Sequence, residues 1–152
     1  MSANFTTVRA ALKAKIATVT DFTDPDTGVV RVDDFHRAEL LGYPSCTFDV
    51  SDNSDDFLTN VDNMRTITYQ IVIYQEVNGV GGLEQATTNL DLVTDKVIAA
   101  IESDYQLANG STPVVDWCDA VNVGKRTQFT HLNGLVLAQE LSVKANYSVL
   151  IV

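Results

Sequence analysis

Residues 63–76, "NMRTITYQIVIYQE", restrict the fold more than any other stretch of this chain. Side chains alternate sides along a β-strand, so Ile67, Tyr69, Ile71 and Ile73 share one face and Thr66, Thr68, Gln70, Val72 and Tyr74 share the other. The first face is apolar; the second mixes hydroxyls and an amide with a valine and a tyrosine. That pattern describes a strand inside a sheet, with one side packed on a helix and the other partly open or set against a neighbouring molecule.

The C-terminal run "LVLAQELSVKANYSVLIV" alternates in the same way. Leu135, Leu137, Leu141, Val143, Ala145, Tyr147 and Val149 fall on one face, and Glu140, Ser142, Lys144, Asn146 and Ser148 on the other. Unbroken, it would extend roughly 60 Å, several times the usual strand length. The strand is therefore expected either to bend near Gln139 or to carry one end away from its own subunit's core.

Two amphipathic helices complement these strands. Phe5, Val8, Leu12, Ile16 and Val19 share one helical face, and "DPDTG" ends that helix between Asp21 and Pro25. Leu83, Ala86, Leu90, Val93, Val97, Ile101 and Tyr105 trace a second, longer stripe that stops before "ANGSTP". "GVVRVDDF" and "YPSCTFDV" read as short strands, "TPVVDWCDAVNV" as another, and "GKRTQFTHLNG" as a polar loop or hairpin. Between residues 51 and 63, "SDNSDDFLTNVDN" fits neither period and is expected to be a long, mobile acidic loop. The expectation is a single α+β domain over residues 1–152: a mixed, mostly antiparallel sheet with the N-terminal helix and the long central helix packed on it.

A chain of 152 residues can bury a full core without metal or disulfide staples. No apolar run reaches the about 18 residues of a membrane span, and the N-terminus lacks the compact apolar block of a signal peptide, so folding in a cytoplasm with no membrane partner is expected. Cys46 and Cys118 then read as reduced, buried small hydrophobes. Twenty acids against ten bases give a net charge of −10, which argues against gripping nucleic acid through its phosphates. The same charge lets a duplex pass nearby without sticking.

Catalytic and cofactor motifs are thin. His36 and His131 each stand alone, without a neighbouring ligand at zinc spacing, and no G-x-S-x-G elbow supplies a nucleophile. "GVGGLE" at 79–84 opens a helix but lacks the Lys-Ser/Thr of a phosphate loop and the third glycine of a dinucleotide fingerprint, so it reads as a flexible turn. "DPDTG" and "SDNSDD" offer oxygens without the order of a calcium loop and read as solvated turns. No cofactor is expected. Trp117, the single tryptophan, has two readings, as core or as an interface residue.

The order of elements nevertheless resembles a known family. An N-terminal helix leads to "GYPSCTFDVSDNSDDF", then "RTITYQIVIYQE", the helix "LEQATTNLDLVTDKVIAAIESDYQL" and a final "LSVKANYSVLIV". Over nearly the whole chain this is similar to the tail terminator family of long-tailed bacteriophages, also known as tail completion or minor tail proteins. Trp117 to Asn133 lies outside the resemblance. The resemblance implies a structural virion protein, assembled in the bacterial cytoplasm. It implies a homohexameric ring that sits on the end of the tail tube, stops its polymerisation and offers a surface to the head-side neck or connector protein, with DNA crossing the channel. On that reading Asp52, Asp55 and Asp56 form a mobile acidic element at the channel or stacking surface. Phe57 and Leu58 become buried on assembly, and Arg65, Tyr69, Tyr74 and Trp117 serve interfaces. Six copies would carry a charge of about −60. Two alternatives stay open: a head-side stopper or connector component, and a small hydrolase or ligand-binding domain. The last would require a pocket at His36 or His131 with an acid nearby.

Overall fold

The computed structural model describes residues 4–37, 39–57, 62–78, 81–131 and 134–150. Helix α1 spans Phe5–Ala17 and begins at a reciprocal cap. The Thr7 amide donates to Asn4 Oδ1 and the Asn4 amide to Thr7 Oγ1, both at 2.9 Å, satisfying two amides that the first turn leaves open. Val8, Leu12 and Ile16 are buried as the spacing predicts, while Phe5 at the exposed end is not. A short 3-10 turn, Thr20–Phe22, then buries Phe22 and closes the helix before Pro25.

Helix α2, Gly82–Glu102, buries Ala86, Leu90, Val93, Val97 and Ile101 along one stripe. It starts from Gly81 at φ 96° and Gly82 at φ 51°, left-handed backbone that a side chain would strain. Leu83 and Tyr105, the ends of the expected stripe, are exposed, Tyr105 lying beyond the end of the helix at Glu102.

Among the described residues six strands form one sheet: β1 Val32–Asp33, β2 Ser45–Phe57, β3 Asp62–Val77, β4 Trp117–Cys118, β5 Asn122–His131 and β6 Gly134–Leu150. Their order is β1-β2-β3-β6-β4, with β5 also beside β6; β1 runs parallel to β2 and the other pairings are antiparallel. The α+β architecture is thus the one its periodicities predict.

The pairing revises two expectations. Residues 51–57 are not a loop, because β2 stays paired to β3 as far as Phe57↔Asn63 with one register shift between Val50 and Asp52. Only residues 58–61 of the expected mobile segment lie outside the described residues. The strand expected across "TPVVDWCDAVNV" is reduced to the two residues of β4 and the first two of β5, while of the two readings of "GKRTQFTHLNG", loop or hairpin, the pairing supports the hairpin, with β5 antiparallel to β6 as far as His131↔Gly134. For β6, expected either to bend near Gln139 or to carry one end away from its own core, the ladder to β3 runs unshifted through Gln139, from Asp62↔Leu150 to Val77↔Leu135. The irregularity sits in β5, which shifts register between Val123 and Arg126, opposite Gln139.

Both helices pack on one face of the sheet, where Phe48, Ile67, Tyr69, Ile71, Ile73, Leu137, Leu141, Val143, Ala145 and Tyr147 meet them. Burying each large side chain there contributes about 1.5–3 kcal/mol, so this face dominates the apolar stabilisation. Phe48 and Tyr69 stack edge to face with centroids 5.8 Å apart.

Candidate assembly surfaces

Among the described residues the opposite face of the sheet carries no helix. At its centre Val72, Val136 and Ala138 are nearly covered by their neighbours, Tyr74 and Phe129 meet edge to face at 6.1 Å, and His36 Nδ1 lies 3.0 Å from Thr47 Oγ1. His36, Gln70, Val72, Tyr74, Phe129 and Glu140 line a shallow hollow of about 290 Å³, so that a histidine and an acid border the same depression. A larger groove of about 520 Å³ runs between the Ala10, Ala11 and Ala14 side of α1 and Ala108, Pro113 and Val114; Lys15, paired with Asp104 at 3.0 Å, closes it.

Strand β5 is the most exposed regular element. Asn122 to Thr130 are all exposed, and only His131 at its end is half-buried. Its attachment is a polar one. Gln139, 4 % exposed, donates through Nε2 to the carbonyls of Gly124 at 3.1 Å and Glu140 at 3.0 Å, and accepts at Oε1 from Arg126 Nε at 2.8 Å. Arg126 continues to Asp91 of α2 at 2.7 Å. A Cβ at Gly124 would come within 3.1 Å of the Glu140 carbonyl, so the bulge uses glycine to let the two strands approach.

The other exposed strand segment is the far half of β2. Ser51 to Ser54 are exposed, and the amides of Val50 and Asn53 turn to the carboxylates just before them, Asp49 Oδ1 at 2.7 Å and Asp52 Oδ1 at 2.9 Å. Burial raises the Asp49 pKa, but the Val50 amide and the Arg9 guanidinium, 2.8 Å away, outweigh it and hold the carboxyl below its ordinary value.

The residues singled out from sequence separate into distinct groups. Asp52 lies on β2 opposite Thr68; Asp55 and Asp56 are opposite Arg65 and Met64, in paired strand rather than a loop. Phe57 ends β2 opposite Asn63, and Leu58 lies outside the described residues. Tyr69 is wholly buried in the core beside Phe48, which removes it from any interface; burial pushes its hydroxyl pKa up. Its place was already set by the alternation that puts it beside Ile67 and Ile71. The Arg65 guanidinium lies 5.7 Å from the centre of the Phe5 ring, joining the hairpin to the start of α1. Tyr74 borders the bare face, and Trp117 is 42 % exposed, donating to Asp119 Oδ1 at 3.0 Å. Trp117 is therefore not a core residue.

Around Trp117 a polar latch fixes β4. Asn146 Nδ2 donates to the Trp117 carbonyl at 3.3 Å and to Asp119 Oδ1 at 3.2 Å, and Thr66 Oγ1 donates to Asn146 Oδ1 at 2.7 Å. Ser148 adds its amide and hydroxyl to Asp116 Oδ2 at 2.9 and 3.0 Å. No motif announces this latch, because its members lie in three separate segments. The "DPDTG" turn is built by Asp24, whose carboxyl accepts the amides of Asp26 and Thr27; these bonds lower its pKa. Among the described residues no group of three His, Cys, Asp or Glu side chains is placed to hold a metal ion, and no helix is long and apolar enough to cross a membrane.

No family model matches the chain, and no curated protein does. Among solved structures it is similar to a chain described as "Virion of native gene transfer agent (GTA) particle", with 12% identity and a TM-score of 0.49, over 93% of this chain and 95% of that one.

Proposed function

We propose that this chain is a structural component of a phage-like virion. In finer terms it is a tail terminator that forms a ring on the end of the tail tube, stops tube growth and presents a joining surface to the head-side neck. The reading rests on the family resemblance of the element order, and the observation that carries it is β5, whose residues Asn122 to Thr130 stand exposed while the strand is held through Gln139. Regular strand that its own subunit leaves bare suits contact with another chain. In a closed ring of heterologous contacts the side edges are used up, so growth ends by geometry and no bond is made or broken. The net charge of −10 per copy would keep DNA from adhering as it crosses the channel.

The test compares tails assembled with and without the protein by electron microscopy. Overlong tubes in its absence, and rings of the purified chain, support the reading. Tails of normal length together with a chain that stays monomeric at high concentration overturn it. Binding to portal-bearing heads instead of tail ends would identify a stopper or connector.

One observation favours a different class. His36 and Glu140 border the same hollow on the bare face, as a small ligand-binding or hydrolytic domain would need. A small molecule that raises the melting temperature of the wild-type chain and leaves that of His36→Ala unchanged would support this second reading.

A further inference from the structure

The sheet has two unpaired borders, and they carry opposite charge. On one side β1 covers β2 only at Cys46 and Thr47, leaving the stretch from Asp49 to Phe57 without an outer strand among the described residues. Its sequence holds Asp49, Asp52, Asp55 and Asp56 and no base; Asp49 is engaged by Arg9 and Asp55 lies opposite Arg65 of β3, which leaves Asp52 as the aspartate that the contact uses. On the other side β5 has β6 as its partner and nothing beyond it among the described residues. Its sequence holds Lys125 and Arg126 and no acid. Arg126 is engaged by Asp91, whereas Lys125 has no carboxylate within 4 Å among the described residues.

We propose that copies of this chain join edge to edge, the β5 strand of one pairing antiparallel with the distal half of β2 of the next. Strand direction permits it. From β2 through β3 and β6 to β5 each neighbour runs opposite to the last, so a following β2 continues the alternation. The register also suits closure. The middle of the acidic border, Asn53, lies level with Ile67, and the middle of β5, Arg126, lies level with Gln139 and hence with Ile73. The two borders are therefore offset by six residues of β3, roughly 20 Å along the strands, across four inter-strand steps of roughly 19 Å in all. In a closed ring that offset becomes a strand tilt of roughly 45°, close to the 35–45° typical of closed sheets.

Each border avoids pairing with its own kind. Two β2 borders would set aspartates against aspartates, and two β5 borders would set Lys125 against Lys125, so like charge disfavours symmetric dimers and directs the chain toward head-to-tail rings. The local capping of the Val50 and Asn53 amides by Asp49 and Asp52 blunts the acidic border until a basic strand arrives.

This contact deepens the ring reading above and rests on it. The test measures assembly of the full chain by light scattering and sedimentation at low and high salt, for wild type, Lys125→Glu and Asp52→Lys. Each substitution alone should raise the concentration for half-assembly about tenfold at low salt. An equimolar mixture should recover wild-type assembly, because the carboxylate introduced into β5 of one variant then meets the ammonium introduced into β2 of the other, and the remaining contacts keep their wild-type pairing. A misfolded variant would not be rescued by mixing, so recovery also excludes that explanation. Wild-type rings that neither substitution weakens, or weakened rings that mixing does not restore, overturn the edge-to-edge contact and leave the ring reading standing. A wild-type chain that remains monomeric overturns both.

Discussion

Lys15 Nζ lies 3.0 Å from Asp104 Oδ2, and this contact ties the last turn of α1 to the chain just past α2. Both side chains are mostly shielded, and the Asp104 carboxylate also accepts the Ala108 amide at 2.8 Å. Burial works against the charge, but Lys15 and the amide prevail, so the Asp104 pKa is lowered. Replacing it by Asn should cost on the order of 1 kcal/mol at neutral pH, read as a shift in the urea midpoint.

The same carboxylate predicts an acid response. Asp104, Asp49 and Asp24 all have lowered pKa values in the folded chain. Below their ordinary value of about 3.9 the unfolded chain therefore binds these protons more readily than the folded one. Their contribution is full above about pH 5 and is lost as the pH falls through about 4 and lower. Unfolding midpoints measured from about pH 7 down to about pH 3 should decline most steeply at the acid end, and Asp104→Asn should flatten that slope.

Gln139→Leu should detach β5 selectively. The substitution removes the bonds to the Gly124 and Glu140 carbonyls and to Arg126 at a buried position, costing about 1–3 kcal/mol. Hydrogen exchange should accelerate across residues 122–131 well before it does in β3. Uniform acceleration over the whole sheet would contradict the anchoring role.

The edge-to-face pair of Phe48 and Tyr69 lies where the sheet meets the helices. Phe48→Ala should destabilise by about 3–5 kcal/mol, because the lost contacts leave a cavity that rigid strands cannot close. Phe48→Leu should cost less than half of that, as most of the volume remains. Thermal unfolding of the two variants side by side gives the ratio.

Both thiols should be inert in the folded chain. Cys46 is fully buried, and burial pushes the pKa of each cysteine up, that of Cys118 to about 12. A thiol reagent at about pH 8 should react slowly with native protein and modify both residues promptly in denaturant.

What could be read in advance follows from which residues have a core to face. The stripes of α1 and α2 and the alternation in β3 and β6 were legible because burial on one side imposes a period. The distal half of β2 was not, and β5 only as the hairpin that "GKRTQFTHLNG" left open beside a loop. Ser51 to Ser54 and Val123 to Thr130 are exposed, so no apolar face marks them as strand, and they are held by pairing and by Gln139 instead. Tyr69 shows the converse: its aromatic ring suggested a contact residue, while its position between two isoleucines fixed it in the interior. Trp117 was ambiguous because Asn146, which holds its carbonyl, comes from a distant strand.

The unshifted ladder between β3 and β6 has a mechanical consequence. A pull along these strands loads the rungs from Asp62↔Leu150 to Val77↔Leu135 together, so they resist as one body. A pull across the sheet would undo them singly, like a zip. A subunit whose load runs along this central pair is stiff in that direction and compliant at right angles to it.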